Sequence, residues 1–128
     1  MGATRVSPAN GKYNIPGANN RNVELTLSDS KTQNYIVESL DGADRDAKLP
    51  ASNPQNITWF ACFSVYNSQN GQKGGYATVQ YSFSVALDPG QKLYVAYNKG
   101  THDVTRPIQN GKVTVTLNEG DPAIGTQP

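Results

Sequence analysis

The densest run of ionisable side chains is SLDGADRDAK, which sets Asp41, Asp44 and Asp46 close together, with Glu38 just before them. Hard cations are held by several carboxylate and carbonyl oxygens converging on one point, so calcium is the ion this loop suits. The order departs from the EF-hand loop, which places acids at alternate positions, then a glycine and a later glutamate. Arg45 and Lys48 lie in the same stretch and partly neutralise it. The competing reading is a solvated acidic turn in which Arg45 pairs locally. NEGDP, near the C-terminal end, is a second and thinner acidic corner.

A second chemistry is carried by aromatic and amide side chains. Pyranose rings offer apolar patches to aromatic faces, while Asn, Gln, Asp and backbone groups take their hydroxyls. Tyr66 and Tyr76 flank residues 67–75, a segment expected as a loop, and Asn67, Gln69, Asn70 and Gln72 lie within it. Tyr66, Asn67, Gln69, Asn70 and Tyr76 are therefore the candidate ligand-binding set of a lectin-like site. Against it stands a reading in which Trp59, Tyr81 and Tyr97 are core, and Tyr76 and Tyr94 are half-exposed sheet residues.

Catalytic constellations are harder to find. The single histidine, His102, is followed by Asp103, and a lone His-Asp dipeptide falls short of a triad, which needs three groups converging in space. With one cysteine, Cys62, and one histidine, a zinc site is not expected, nor is an intramolecular disulfide. Cys62 sits inside WFACFSV and reads as a small buried hydrophobe. The expectation is that the chain is not an enzyme.

Lys and Arg number 11 against 10 Asp and Glu, for a net charge of +1, and no basic cluster interrupts this balance. Charge-driven binding to nucleic acid needs such clusters. Thr78, Gln80, Ser82 and Ser84 would form a polar platform for RNA, yet the surrounding strands bring no cation to it. Nucleic acid is not an expected partner. No apolar run approaches the length of a membrane span, and MGATRVSPANG has no apolar leader core. That pattern fits a virion or cytoplasmic protein, or a mature fragment restarted with Met.

The elements that would position these groups are strands. YATVQYSFSVAL, residues 76–87, alternates strictly, with Ala77, Val79, Tyr81, Phe83, Val85 and Leu87 on one face. NVELTLS, QNYIVESL, KLYVAYN and KVTVTLN follow the same period, SDSKT turning the first into the second. NITWFACFSVY carries apolar groups on both faces and so reads as a central or doubly covered strand, with Ile57, Trp59, Ala61, Phe63 and Val65 sharing one face. Residues 41–55 form a long polar connection with room for one helical turn.

Six confident strands with Gly, Pro and Asn turns between them predict an all-β fold, a single antiparallel β-sandwich of jelly-roll or Ig-like type with 6–8 strands. The sandwich is expected over 21–118, between an irregular arm, 1–20, and a tail, 119–128. Only 16% of residues are charged, and a surface of uncharged polar groups is poorly guarded against self-association. The first functional expectation is thus a self-assembling homo-oligomeric subunit of a particle or filament, in the style of phage or viral coat, decoration or tail proteins. Its arms would contact neighbouring copies. The alternative is a small glycan-binding module.

Overall fold

In the computed structural model, which describes residues 2–28, 34–76 and 79–127, two antiparallel sheets pack face to face. The strands are β1 (Ala3–Val6), β2 (Lys12–Ile15), β3 (Val23–Leu27), β4 (Tyr35–Leu40), β5 (Thr58–Gln69), β6 (Gln72–Tyr76), β7 (Tyr81–Ala86), β8 (Lys92–Tyr97), β9 (Gly100–Asp103), β10 (Lys112–Leu117) and β11 (Ala123–Gln127). One five-residue helix, α1 (Gly42–Asp46), lies in the polar connection after β4. The larger sheet runs β1-β4-β5-β11-β8-β9, with β6 also paired to β5; the smaller runs β10-β7-β3-β2. The all-β sandwich expected from alternation is the fold.

The alternating faces do the packing. Leu25 and Val23 of β3, Phe83 and Val85 of β7, and Val113 and Val115 of β10 are buried against Val37, Phe63, Val65, Leu93 and Val95 of the larger sheet. Ser82 and Ser84, on the opposite face of β7, instead meet Thr116 and Thr114 of β10 through hydroxyl hydrogen bonds of 3.0 and 2.8 Å. The polar face of β7 is thus tied into an uncharged hydroxyl surface.

Both termini differ from the expected arms. β1 pairs with β4, and β2 pairs with β3, so residues 1–20 supply an edge strand to each sheet. β11 lies between β5 and β8, with Ala123 and Ile124 fully buried. Burying an isoleucine side chain stabilises by about 2 kcal/mol, which a loose tail would forgo. The Gly, Pro and Asn residues that suggest irregular chain are turn chemistry. Asn10-Gly11, Asn70-Gly71 and Asn110-Gly111 all take positive φ of 54° and 78°, the pattern of the two-residue turn whose twist matches a hairpin.

That turn also corrects the segment 67–75. β5 continues to Gln69 and β6 begins at Gln72, so only Asn70 and Gly71 turn the chain. The run 76–87 is likewise two strands rather than one: β6 ends at Tyr76 in the larger sheet, and β7 begins at Tyr81 in the smaller. Alternation survives a change of sheet because inward and outward keep their meaning across the sandwich corner. Ala77 and Thr78 lie outside the described residues, as do residues 29–33, on which most of the turn expected at SDSKT falls.

Trp59 faces the opposite way from the sequence expectation. Along β11, Ile124 pairs with Ala61 but Gly125 pairs with Trp59, so Phe60 is an extra residue in β5. A β-bulge of this kind inverts the side-chain parity beyond it. Phe60 joins the core between the sheets, while Trp59 packs outside the larger sheet with Leu40, Cys62, Ala96, Ala123 and Leu49.

Candidate functional site

The outer face of the larger sheet is covered over only part of its area. The connection after β4 folds back across it, and Leu49 packs on the patch formed by Leu40, Cys62, Ala96 and Ala123. Lys99 Nζ donates to the Ala47 carbonyl at 2.6 Å and Lys48 Nζ pairs with Asp121 at 2.7 Å, pinning the connection at two points. This burial explains why both faces of β5 read as apolar. It leaves Cys62 fully buried and pushes its thiol up to about 12, mainly by desolvation.

Beside this cover lies an open cleft of about 220 Å³, lined by Glu38, Asp44, Lys48, Tyr66, Lys73 and Tyr76 among others. Tyr66 and Tyr76 are direct cross-strand partners, and between Tyr66 and Ser68 the register slips, giving β6 one residue more than β5. Gly75, at φ 131°, occupies that bulge, a conformation open to glycine. The result stacks the two rings, with centroids 4.7 Å apart and planes at 21°. Gly120 completes the seat, since a Cβ there would fall 2.9 Å from Tyr76 Cδ1. Tyr76 is 45% exposed, and it is the sole large apolar side chain so exposed among the described residues.

Charges rim the stack. Lys73 Nζ reaches Glu38 Oε1 at 2.8 Å and sits 4.8 Å from the centroid of Tyr66. Lys48 Nζ donates to the Tyr76 hydroxyl at 3.0 Å while holding Asp121. Hydrogen bonding to Asp121, then to Tyr76, raises Lys48 above the ordinary lysine range, and Glu38 raises Lys73 in the same direction. Burial pushes the Tyr76 phenol up to about 12 despite the opposing hydrogen bond from Lys48. Both amines are therefore held as ammonium and the phenol as phenol, an arrangement of fixed donors and acceptors. A nucleophilic lysine needs the opposite displacement.

Of the sequence candidates, Tyr66 and Tyr76 are brought together, and Asn67 donates to the Tyr76 carbonyl at 3.4 Å. Gln69 and Asn70 stand at the hairpin tip and are not among the residues lining the cleft. Asp41 precedes α1, Asp44 lines the cleft, and Asp46 pairs with Arg45 at 3.3 Å. The three acids are not brought together: among the described residues no group of three or more His, Cys, Asp or Glu could hold a metal ion. His102 stacks on Tyr97 at 4.0 Å, while Asp103 accepts the Thr105 backbone N–H at 2.9 Å. Tyr94, expected half-exposed, is buried, its hydroxyl donating to Gln127 Oε1 at 3.2 Å. Among the described residues no helix is long and apolar enough to cross a membrane.

In the sequence Glu38 and Lys48 stand only as neighbours of the acidic loop and Asp121 as part of NEGDP, and nothing there links them or Lys73 to the tyrosines; each reaches the aromatic pair through contacts between distant parts of the chain. Comparison with the models of known protein families, with curated proteins and with solved structures gives no match.

Proposed function

We propose that this chain is a non-enzymatic binding module that takes a carbohydrate in the cleft around Tyr66 and Tyr76. The observation that carries the reading is the stacked, part-exposed tyrosine pair set within a rim of fixed ammonium and carboxylate groups. Aromatic surface supplies the contact for the apolar patch of a sugar ring, and charged groups make stronger hydrogen bonds to hydroxyls than neutral ones do. A cleft of about 220 Å³ suits one or two sugar units of a chain lying across it, rather than an enclosed ligand.

The test is retention on a glycan array, followed by titration calorimetry of the best ligand. Tyr76→Ala removes one ring of the pair and is expected to weaken binding about two- to twelvefold, the equivalent of the roughly 0.5–1.5 kcal/mol that an aromatic pair contributes. Absence of any retained glycan, or unchanged affinity in a folded Tyr76→Ala variant, refutes the reading.

A second reading, a self-assembling particle or filament subunit, is favoured by the charge-poor composition, 16%. Its mechanism differs from the expected contact of free arms with neighbouring copies, because β1, β2 and β11 are paired within their own chain. Assembly would instead use sheet edges, and a single discrete monomer at all concentrations in light scattering would end it.

A further inference from the structure

The smaller sheet ends in β10, and the backbone phase of this strand can be assigned. Leu87 N–H donates to the Gly111 carbonyl, and Val113 and Val115 pair with Val85 and Phe83 in the same register. In an antiparallel ladder the groups that face a neighbour alternate. The odd-numbered residues of β10 therefore turn their N–H and C=O towards β7, and the even-numbered ones turn theirs outward. Lys112 confirms the phase, since its outward N–H and C=O are both bonded to Gln109. Thr114 and Thr116 remain, each presenting a backbone donor and acceptor at the sheet edge.

Edges are normally blunted by shortness, proline, bulges or charges. Of the other terminal strands, β1, β2 and β9 are four residues long, with Arg5 and Lys12 on β1 and β2, and β6, paired only with β5, is five residues long and bulged, with Lys73 on it. β10 is six residues long and reads KVTVTL, with no proline, no register shift and one charge at its start. Its inward side chains are Val113, Val115 and Leu117, and its outward ones are Lys112 and two threonines.

We propose that a second copy of this chain pairs with this edge, β10 against β10, about a two-fold axis at Val115. The register follows from the available groups. Centring on Val115 sets Thr114 opposite Thr116 of the second copy, and the reverse, so all four outward donors and all four acceptors are used. Centring on Thr114 instead calls on Lys112, whose groups Gln109 already holds. The Val115 register also keeps threonine beside threonine on the outer face and valine beside valine on the inner one. Lys112, whose outward edge Gln109 of the same chain fills, stands outside the pairing, which is confined to residues 114–116 of each copy. The product is a continuous eight-stranded sheet with a hydroxyl-rich outer surface. Such isologous pairing is closed, giving a dimer rather than a fibre. The inference is independent of the carbohydrate cleft, which lies on the other sheet.

Thr114→Pro removes one outward N–H and leaves the bonds from Val113 and Val115 to β7 intact, as an edge strand permits. Analytical ultracentrifugation of the wild-type chain is expected to give about twice the 13.8 kDa chain mass, and the variant the chain mass itself. A wild-type monomer throughout the concentration range, or a dimer that persists in a folded Thr114→Pro, overturns the proposal. Cross-linking reads the register without that variant. Thr114→Cys/Thr116→Cys is expected to form a disulfide-linked dimer under mild oxidation, and Thr114→Cys alone to remain unlinked. Linkage by the single variant, or none by the double, rejects the two-fold at Val115.

Discussion

Replacing Gly125 by alanine tests the bulge that turns Trp59 to the outer face. A Cβ at this position would lie 2.5 Å from Ile57 Cγ2, 2.6 Å from Trp59 Cε3 and 2.9 Å from the Thr58 carbonyl oxygen. Two of these neighbours are side chains fixed by packing and the third is backbone, so none yields cheaply. Overpacking of this kind costs about 1–3 kcal/mol, against which the stiffer unfolded chain returns about 0.4–1 kcal/mol. A net loss of about 1–2 kcal/mol corresponds to a fall in Tm of roughly 3–10 °C for a domain of this size. Trp59 is the sole tryptophan, so thermal and urea unfolding followed by its fluorescence report on the very ring that must move. Gly74→Ala is the matched control: its nearest neighbours would stand at 3.3–3.4 Å, the closest being the end of the Gln69 side chain. A Gly125→Ala protein as stable as wild type, with an unshifted emission maximum, would mean that Trp59 does not pack over Gly125.

Two further outcomes follow from the covered outer face. Cys62, fully buried with its thiol pushed up to about 12, is expected to resist alkylation in the native protein at pH 8 and to react fully in denaturant, followed by mass spectrometry; rapid native labelling would show that the connection over it opens. The rim of the cleft gives a pH signature. Lys48 and Tyr76 both titrate above their ordinary values of 10.5 and 10.0 in the folded state, so their stabilisation is complete below about pH 10 and is lost as the pH rises beyond it. Urea midpoints at pH 7, 9 and 11 should therefore fall chiefly at the last step, where Cys62 and Tyr81, raised by burial, add to the loss; a midpoint that holds at pH 11 would refute the shifts.

Most of the six strands legible in the sequence bury one face, and period-two alternation is the direct record of that burial; β5 and β8, covered on both faces, were legible by their long apolar runs. β3, β7 and β10 show this most plainly, with every inward residue apolar. Of the five additional strands, β2 alternates, with Tyr13 and Ile15 buried, but over only four residues, and the others left no such record. β6 is exposed along its whole length, and the first three residues of β1 are exposed, so backbone pairing rather than side-chain burial makes them strands. β11 fails for the opposite reason. It is covered on both faces, which replaces alternation by a short run, AIGT, that resembles a tail once a proline and a glycine stand beside it.

The site divides along the same line between local and distant information. Tyr66 and Tyr76 could be linked from the sequence because a hairpin joins them and Asn70-Gly71 sets its turn. The slip that stacks the rings is also local, since Gly74-Gly75 supplies the extra residue. The charged rim is different in kind. Lys48 reaches Tyr76 across 28 residues, Lys73 reaches Glu38 across 35, and Asp121 arrives from the approach to β11, a strand the sequence does not announce. Once β11 is placed between β5 and β8, residues 120–122 must run along β5, where Val65 N–H donates to the Gly120 carbonyl and Phe63 N–H to that of Pro122. That course brings Asp121 to Lys48 and leaves Gly120 beneath the Tyr76 ring. The least legible strand of the fold is therefore the one that completes the cleft.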